Sequence, residues 1–266
     1  MASFYASDFE FDGISSHTYN LQIYNFGDSS LFKGKGSSDV EIISQRVLRK
    51  SKPYFLGRTE EPVLSFPLTF GSEDLISSLD RDVISDWLFG RARYKKLYIL
   101  QDDLNGAYFN CFLTKPQPVY VGNTNFAFTC TVICDSPYAY SPLKTTSGSF
   151  LDGTTTNISF DIYNYSSEDN YLYPDITFST NDIGDSFSLV NETDSDRDFL
   201  FSGINPNEEI VVNNDLQIIT SDTGLLRVSY FNKNWLRLLP KKNSFVLSGG
   251  IGSYEITFTE RLKIGG

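Results

Sequence analysis

With 266 residues, the chain is long enough for two domains at about 150 residues each. Tyr, Phe and Trp together number 40 against six Ala and one Met, a balance that favours pleated sheets over helices. A formal net charge of −11 excludes a general nucleic-acid-coating role, which needs a basic surface to neutralise phosphates.

That charge is unevenly spread. Residues 1–134 carry 13 basic and 15 acidic side chains; residues 152–222 carry 15 acids against Arg197 alone; residues 223–266 carry seven basic and two acidic positions. Cys111, Cys130 and Cys134 are an odd count, which argues against a secreted disulfide framework. Cys130 and Cys134 fall four residues apart on one strand face, about 13 Å, too far to bridge. They read as small core residues of a protein made in a reducing compartment. With no signal-peptide pattern and no apolar run approaching 18 residues, a soluble chain without membrane insertion is expected.

In chain order, Thr18 to Phe70 is strand-like. Val40 to Leu48 is β-branched and aliphatic, and Leu64, Phe66, Leu68 and Phe70 alternate in a strand that Pro62 and Pro67 place at an edge. A helix is expected after Gly71. Ser72 would cap it, Glu73 and Asp74 suit its positive end, and Leu75, Ile76, Leu79, Val83, Ile84, Trp87 and Leu88 follow helical spacing up to Gly90. Leu79, Val83, Ile84 and Trp87 should pack it onto the sheet. Strands resume at Lys96–Leu100, Tyr108–Leu113 and Phe126–Cys134, the last with Phe126, Phe128, Cys130, Val132 and Cys134 on one face.

The stretch 141–156 is rich in Ser, Thr, Gly and Pro and reads as a linker between domains 1–140 and 157–266. Beyond it, strands are predicted at Ile158–Tyr163, Asp175–Thr180, Glu209–Asn213, Leu216–Thr220, Leu226–Phe231, Ser244–Leu247 and Tyr254–Thr259. Such short strands separated by turn residues point to a β-sandwich. The fold class is mainly β: an N-terminal β-rich domain with one α-helix, then a C-terminal antiparallel β-sandwich.

Few residues carry chemistry. The one histidine, His17, has no nucleophile pattern to serve and reads as an ordinary surface or interface residue, and one His with three scattered Cys cannot supply a zinc site. Phe32–Ser38 resembles a phosphate loop but lacks the upstream Gly and a following helix. Asp194, Asp196 and Asp198 have the rhythm of a calcium loop without its Gly or closing Glu, and read as a solvated acidic loop. No catalytic, metal or cofactor-binding residue is assigned, and no cofactor is expected. Tyr163, Tyr165, Tyr171 and Tyr173, around Asn164 and Asn170, are candidate contacts for a carbohydrate or a partner, set against strand core and interface packing.

Several motifs recur in a telling order: Phe9-x-Phe11-x-Gly13, Trp87-Leu88, Tyr108-Phe109-Asn110-Cys111, and Phe126-Ala127-Phe128-Thr129-Cys130 leading to Asp135-Ser136-Pro137-Tyr138. Asn164, Tyr173-Pro174-Asp175-Ile176, Asn205-Pro206-Asn207-Glu208-Glu209 and Asn243 near Gly249-Gly250 follow. Over most of the chain this resembles the distal tail protein (Dit) family of long-tailed, siphovirus-type bacteriophages.

The resemblance implies a structural protein rather than an enzyme, found in the virion at the tail tip after synthesis in the host cytoplasm. It implies a homo-hexameric ring beneath the tail tube, built by the N-terminal domains. Galectin-like C-terminal domains, similar to carbohydrate-binding modules, would project outward. The implied partners are the tail tube protein, a tail-associated hub or fibre protein, receptor-binding proteins, and genomic DNA in transit only. Six copies would carry −66, a field that repels passing DNA, and the near-neutral first domain is the better ring builder because strongly acidic copies repel one another. The rival reading is a host-surface carbohydrate adhesin that grips through the four tyrosines. A glycosidase would need carboxylates paired in space, which sequence does not reveal.

Overall fold

The computed structural model describes residues 8–24, 40–60, 63–74, 76–121, 124–149, 157–168, 170–180 and 186–264. Phe32–Ser38, Pro62, Leu75 and the side chain of Phe126 lie outside the described residues. Contacts divide the chain into unit 1, Met1–Ser141 with Leu262–Gly266, and unit 2, Pro142–Arg261.

Unit 1 contains β1 (Phe9–Phe11), β2 (Ile14–Ser15), β3 (Gln22–Ile23), β4 (Val40–Gln45), β5 (Tyr54–Glu60), β6 (Ser65–Gly71), α1 (Ser78–Phe89), β7 (Lys95–Ile99), β8 (Tyr108–Val121), β9 (Thr124–Cys134) and β10 (Ala139–Tyr140). Its antiparallel sheet runs β2-β1-β7-β8-β9-β6-β3, with β10 beside β8. The period of two decides which face is dry: Phe66, Leu68 and Phe70 of β6 and Phe128, Cys130, Val132 and Cys134 of β9 are all buried. Strand β6 pairs with β9 along its whole length but meets β3 only at Phe70 and Gly71. The side of β6 around Pro67 thus has no partner strand among the described residues, as that proline predicts.

The three thiols are free and buried, with Cys111 opposite Cys134 in the β8–β9 register. Burial pushes the Cys130 and Cys134 thiols up to about 12, so they are inert packing groups.

Helix α1 begins five residues later than expected. Ser77 is its cap, accepting from the Asp80 amide at 3.1 Å and donating to the Asp80 carboxylate at 2.6 Å, whereas Ser72 closes a local turn by accepting from the Asp74 amide. The buried face is Ile84, Trp87 and Leu88. Trp87 stacks on Phe9 at 6.0 Å, lies 5.0 Å from Tyr19, and donates its indole N–H to the Phe11 carbonyl at 3.0 Å. Leu79 and Val83, expected to join that packing, instead point to solvent at 78% and 51% exposure.

Unit 2 contains β11 (Lys144–Ser149), β12 (Ile158–Asn164), β13 (Asp175–Thr180), β14 (Ser186–Asn191), β15 (Arg197–Ser202), β16 (Glu209–Asn213), β17 (Ile218–Ser221), β18 (Lys241–Gly249) and β19 (Ile251–Phe258). The antiparallel sheets β11-β19-β13-β16-β17 and β12-β18-β14-β15 enclose an aromatic core in which Phe178 stacks on Phe187 at 4.1 Å. Three readings need correction. Strand β11 lies within the stretch expected as a linker. Its polar composition suits an outer strand, and Gly148 is required because a Cβ there would come within 2.7 Å of the Tyr254 ring. Strands β14 and β15 were not foreseen. Leu226–Phe231 is no strand: Val228–Tyr230 forms a short 3-10 turn, and Phe231 makes one isolated bridge to Phe201.

Candidate functional site

Three surfaces stand out. The first is the hairpin of β4 and β5, a two-stranded sheet separate from the large sheet of unit 1. Its strands carry neighbouring apolar residues that alternation must send to opposite faces, and both faces are wet: Ile42, Ile43, Tyr54, Phe55 and Leu56 are 46–68% exposed. At the tip, Val47 is 40% and Leu48 89% exposed. Residues 42–57 contain Arg46, Arg49, Lys50 and Lys52 and no acid, giving +4 in a chain of −11. Lys50 donates to the Tyr54 hydroxyl at 2.9 Å and lies over its ring. A lone two-stranded ribbon is marginally stable in water, and one apolar on both sides gains by being covered.

The second surface is the outward face of α1, where Leu79, Asp82, Val83 and Asp86 share one stripe at i, i+3, i+4 and i+7. All four are exposed. The helix thus has a buried stripe and an acidic, partly apolar outer one.

The third is the surface of the sandwich. The four candidate tyrosines are 39–62% exposed. Tyr163 and Tyr165 are brought together as a stack at 5.8 Å and 11°, with the Lys144 ammonium 5.3 Å from the Tyr165 ring. The Arg237 guanidinium lies 4.0 Å from the Tyr171 ring, and no ring contact joins Tyr171 or Tyr173 to the Tyr163–Tyr165 stack. Separately, an open trough of about 610 Å³ crosses the five-stranded sheet, lined by Ser147, Ser149, Thr177, Glu209, Ser253 and Glu255 among others. Tyr163 projects from the other sheet, so trough and stack are different surfaces.

The acidity of 152–222 is partly compensated by the basic residues that follow it. Arg237 bonds both carboxylate oxygens of Asp194, at 2.7 and 3.0 Å. Lys242 meets Asp161 at 3.1 Å, and Arg261 pairs with Glu168. Arg227 and Glu208 form a buried bidentate pair, with the Arg227 guanidinium also donating to the Gly203 carbonyl at 3.0 Å. Asp194 is therefore committed to an arginine, and no cluster of metal-binding side chains occurs among the described residues. His17 is exposed, 3.6 Å from the Asp8 carboxylate.

Two family models cover the chain: the phage tail protein N-terminal domain matches residues 4–136 and the phage tail C-terminal domain matches residues 138–259. The chain is a phage tail protein. Its fold is similar to that of the SPP1 Dit protein (gp 19.1), described as a paradigm of the hub adsorption apparatus in phages that infect Gram-positive bacteria. That match has a TM-score of 0.68 at 13% identity and covers 96% of this chain and 98% of that one. The phage P2 baseplate in its activated conformation, solved with Ca and with Sr, matches with a TM-score of 0.52 at 12% identity, over 94% of this chain and 97% of that one. No curated protein matches the sequence significantly. The resemblance to the distal tail protein family is thereby borne out at the level of the fold, and the family models make the protein a component of the virion tail. Among the described residues, no helix is long and apolar enough to cross a membrane.

The residues that carry the resemblance prove architectural in this tail protein. Asn110 donates to Asp135 at 2.6 Å, and the Tyr140 hydroxyl donates to the other oxygen of Asp135 at 3.1 Å. In unit 2, the segment 232–240 lies outside the strands; its backbone is paired through the Leu172–Leu238 bridge and the bond from the Asn232 amide to the Leu200 carbonyl. Buried asparagines supply the missing bonds. Asn214 accepts from the Leu236 amide and donates to the Pro174 carbonyl; Asn191 donates to the Arg237 carbonyl; Asn243 accepts from the Leu239 amide and donates to its carbonyl, which Asn164 also meets. Sequence reasoning noticed Asn164 and Asn243 without this role. It missed the uncovered hairpin, whose signal was unalternated apolar pairs in a basic segment.

Proposed function

We propose that this protein is the ring-forming hub of a phage tail tip, joining the tail tube to the receptor-binding apparatus, with DNA passing through a six-copy ring. The observation that carries the reading is the whole-length likeness to a hub protein, in which both units recur in one chain. Two features support unit 1 as the ring builder. It bears the apolar hairpin left uncovered in a single copy. Its formal charge is only −2, against −9 for unit 2, so its copies repel one another less. A tail hub performs no catalytic step; its work is to hold partners in register. The acidic total, −66 for six copies, would keep DNA from adhering during passage.

Electron microscopy of the purified protein, with its mass in solution, tests this. A sixfold ring with a central hole is the expected result, and monomers alone at high concentration and low salt would overturn it.

A second reading rests on the open Tyr163–Tyr165 stack and the hydroxyl-lined trough: unit 2 as a carbohydrate contact, with Tyr171 and Tyr173 adding to it. Binding on a glycan array that is lost in Y163A/Y165A would favour that adhesin role. Full binding by that variant would remove the stack from consideration.

A further inference from the structure

We infer, building on the ring reading above, that the tip of the β4–β5 hairpin of one copy seats on the outward face of α1 in the next copy. The two surfaces complement each other in both polarity and charge. The tip offers Val47 and Leu48 within a run bearing Arg46, Arg49, Lys50 and Lys52. The helix offers Leu79 and Val83, one turn apart, with Asp82 and Asp86 on the same stripe and Asp80 beside it. Helix residues 78–89 hold three Asp and one Arg, so a +4 tip meets a −2 face.

The alternatives within unit 1 fit less well. Among the described residues its other exposed large apolar side chains, Val63, Tyr94, Leu100 and Tyr120, are single positions on separate segments, and none forms an acid-flanked pair. Two tips meeting each other would oppose +4 to +4 and repel. A contact between unlike patches on the same unit is heterologous, the class that closes a ring when the rotation between copies fits. It would also cover the hairpin tip that a single copy leaves exposed.

The test uses the full-length protein and reads the concentration at which rings dissociate, by mass photometry. R46E/R49E/K52E, which takes the tip from +4 to −2, and D82K/D86K, which takes the helix from −2 to +2, change exposed side chains only, and circular dichroism should find the fold unaltered in both. Each reversal is expected to raise the dissociation concentration at least tenfold. Combining the five substitutions sets a −2 tip against a +2 face, so attraction returns with the signs exchanged, and the value should come back to within about threefold of wild type. Raising salt should weaken the wild-type ring, since the contact is partly ionic.

Rings that dissociate at unchanged concentration in both reversal variants would overturn this contact while leaving the ring reading intact. Failure of the combined variant to recover would likewise count against direct pairing. A wild-type protein that stays monomeric at every concentration would overturn the ring and this contact together.

Discussion

Arg227 is the residue of unit 2 whose loss has the clearest calculable effect. It lies buried against Glu208, which also accepts from the Ser221 hydroxyl and the Asn205 amide. Arg227→Met keeps the apolar stem but strands the carboxylate without its cation, a change that costs about 3–5 kcal/mol in buried pairs. The sign of the pH dependence is diagnostic. Burial alone would raise the Glu208 pKa, but the bonds from Arg227, Ser221 and Asn205 hold it down to about 2, against 4.5 for a free side chain. A folded-state pKa below the unfolded one contributes stability that is complete above pH 4.5 and is lost as pH falls toward 2. The difference is worth about 3 kcal/mol.

In R227M, burial acts unopposed by the guanidinium and the Glu208 pKa rises, so the variant's deficit should be greatest near pH 7 and shrink as the pH is lowered through 4.5. Urea titrations at pH 7, 5 and 3.5 measure this. Trp87 and Trp235 lie one in each unit, so a W87F background leaves Trp235 as the sole indole and reports unit 2 alone. A deficit below about 1 kcal/mol at pH 7, or one equal at all three pH values, would refute the reasoning. Replacing both partners with Met should recover most of the loss, because no charge is then left buried.

Two further outcomes follow from the cores. Trp87→Ala should destabilise unit 1 by about 3–5 kcal/mol through the cavity it opens beside Phe9 and Tyr19 and the loss of the indole bond to the Phe11 carbonyl; thermal unfolding followed by circular dichroism measures it. Asn243→Ala should cost unit 2 about 1–3 kcal/mol, since it leaves the Leu239 amide without its partner and removes one of two donors to the Leu239 carbonyl, and amide hydrogen exchange should speed up first in segment 232–240.

How much was legible depended on whether a residue's role is local. The alternation through Phe128, Cys130, Val132 and Cys134 identified β9, because one dry face imposes a period of two on the sequence itself. The helix was legible in kind but misplaced at its start. Ser72 with two acids after it looks like a cap, whereas the reciprocal Ser77–Asp80 bonds decide the matter in three dimensions. Leu79 and Val83 keep helical spacing yet face solvent, since spacing gives a stripe and not what lies opposite it. Strand β11 was hidden by its composition: outward-facing Ser and Thr on an outer strand are indistinguishable from a linker until Tyr254 is seen against Gly148. The charge partition was read correctly along the chain, but its pairing was not, because Asp194 and Arg237 are neighbours only after folding.

Residues 262–264 belong to unit 1, where Leu262 and Ile264 pack against the core after the chain has passed through the whole of unit 2. Unit 2 is therefore a loop in the connectivity of unit 1, held by two covalent tethers. Three consequences follow from this connectivity. Load applied to unit 2 is shared between two chain crossings, so neither carries it alone. During synthesis unit 1 cannot finish packing until the ribosome has completed unit 2, which delays burial of that part of the core. And a single protease cut anywhere inside unit 2 leaves each resulting piece joined to a segment of unit 1, so a nicked copy does not shed unit 2.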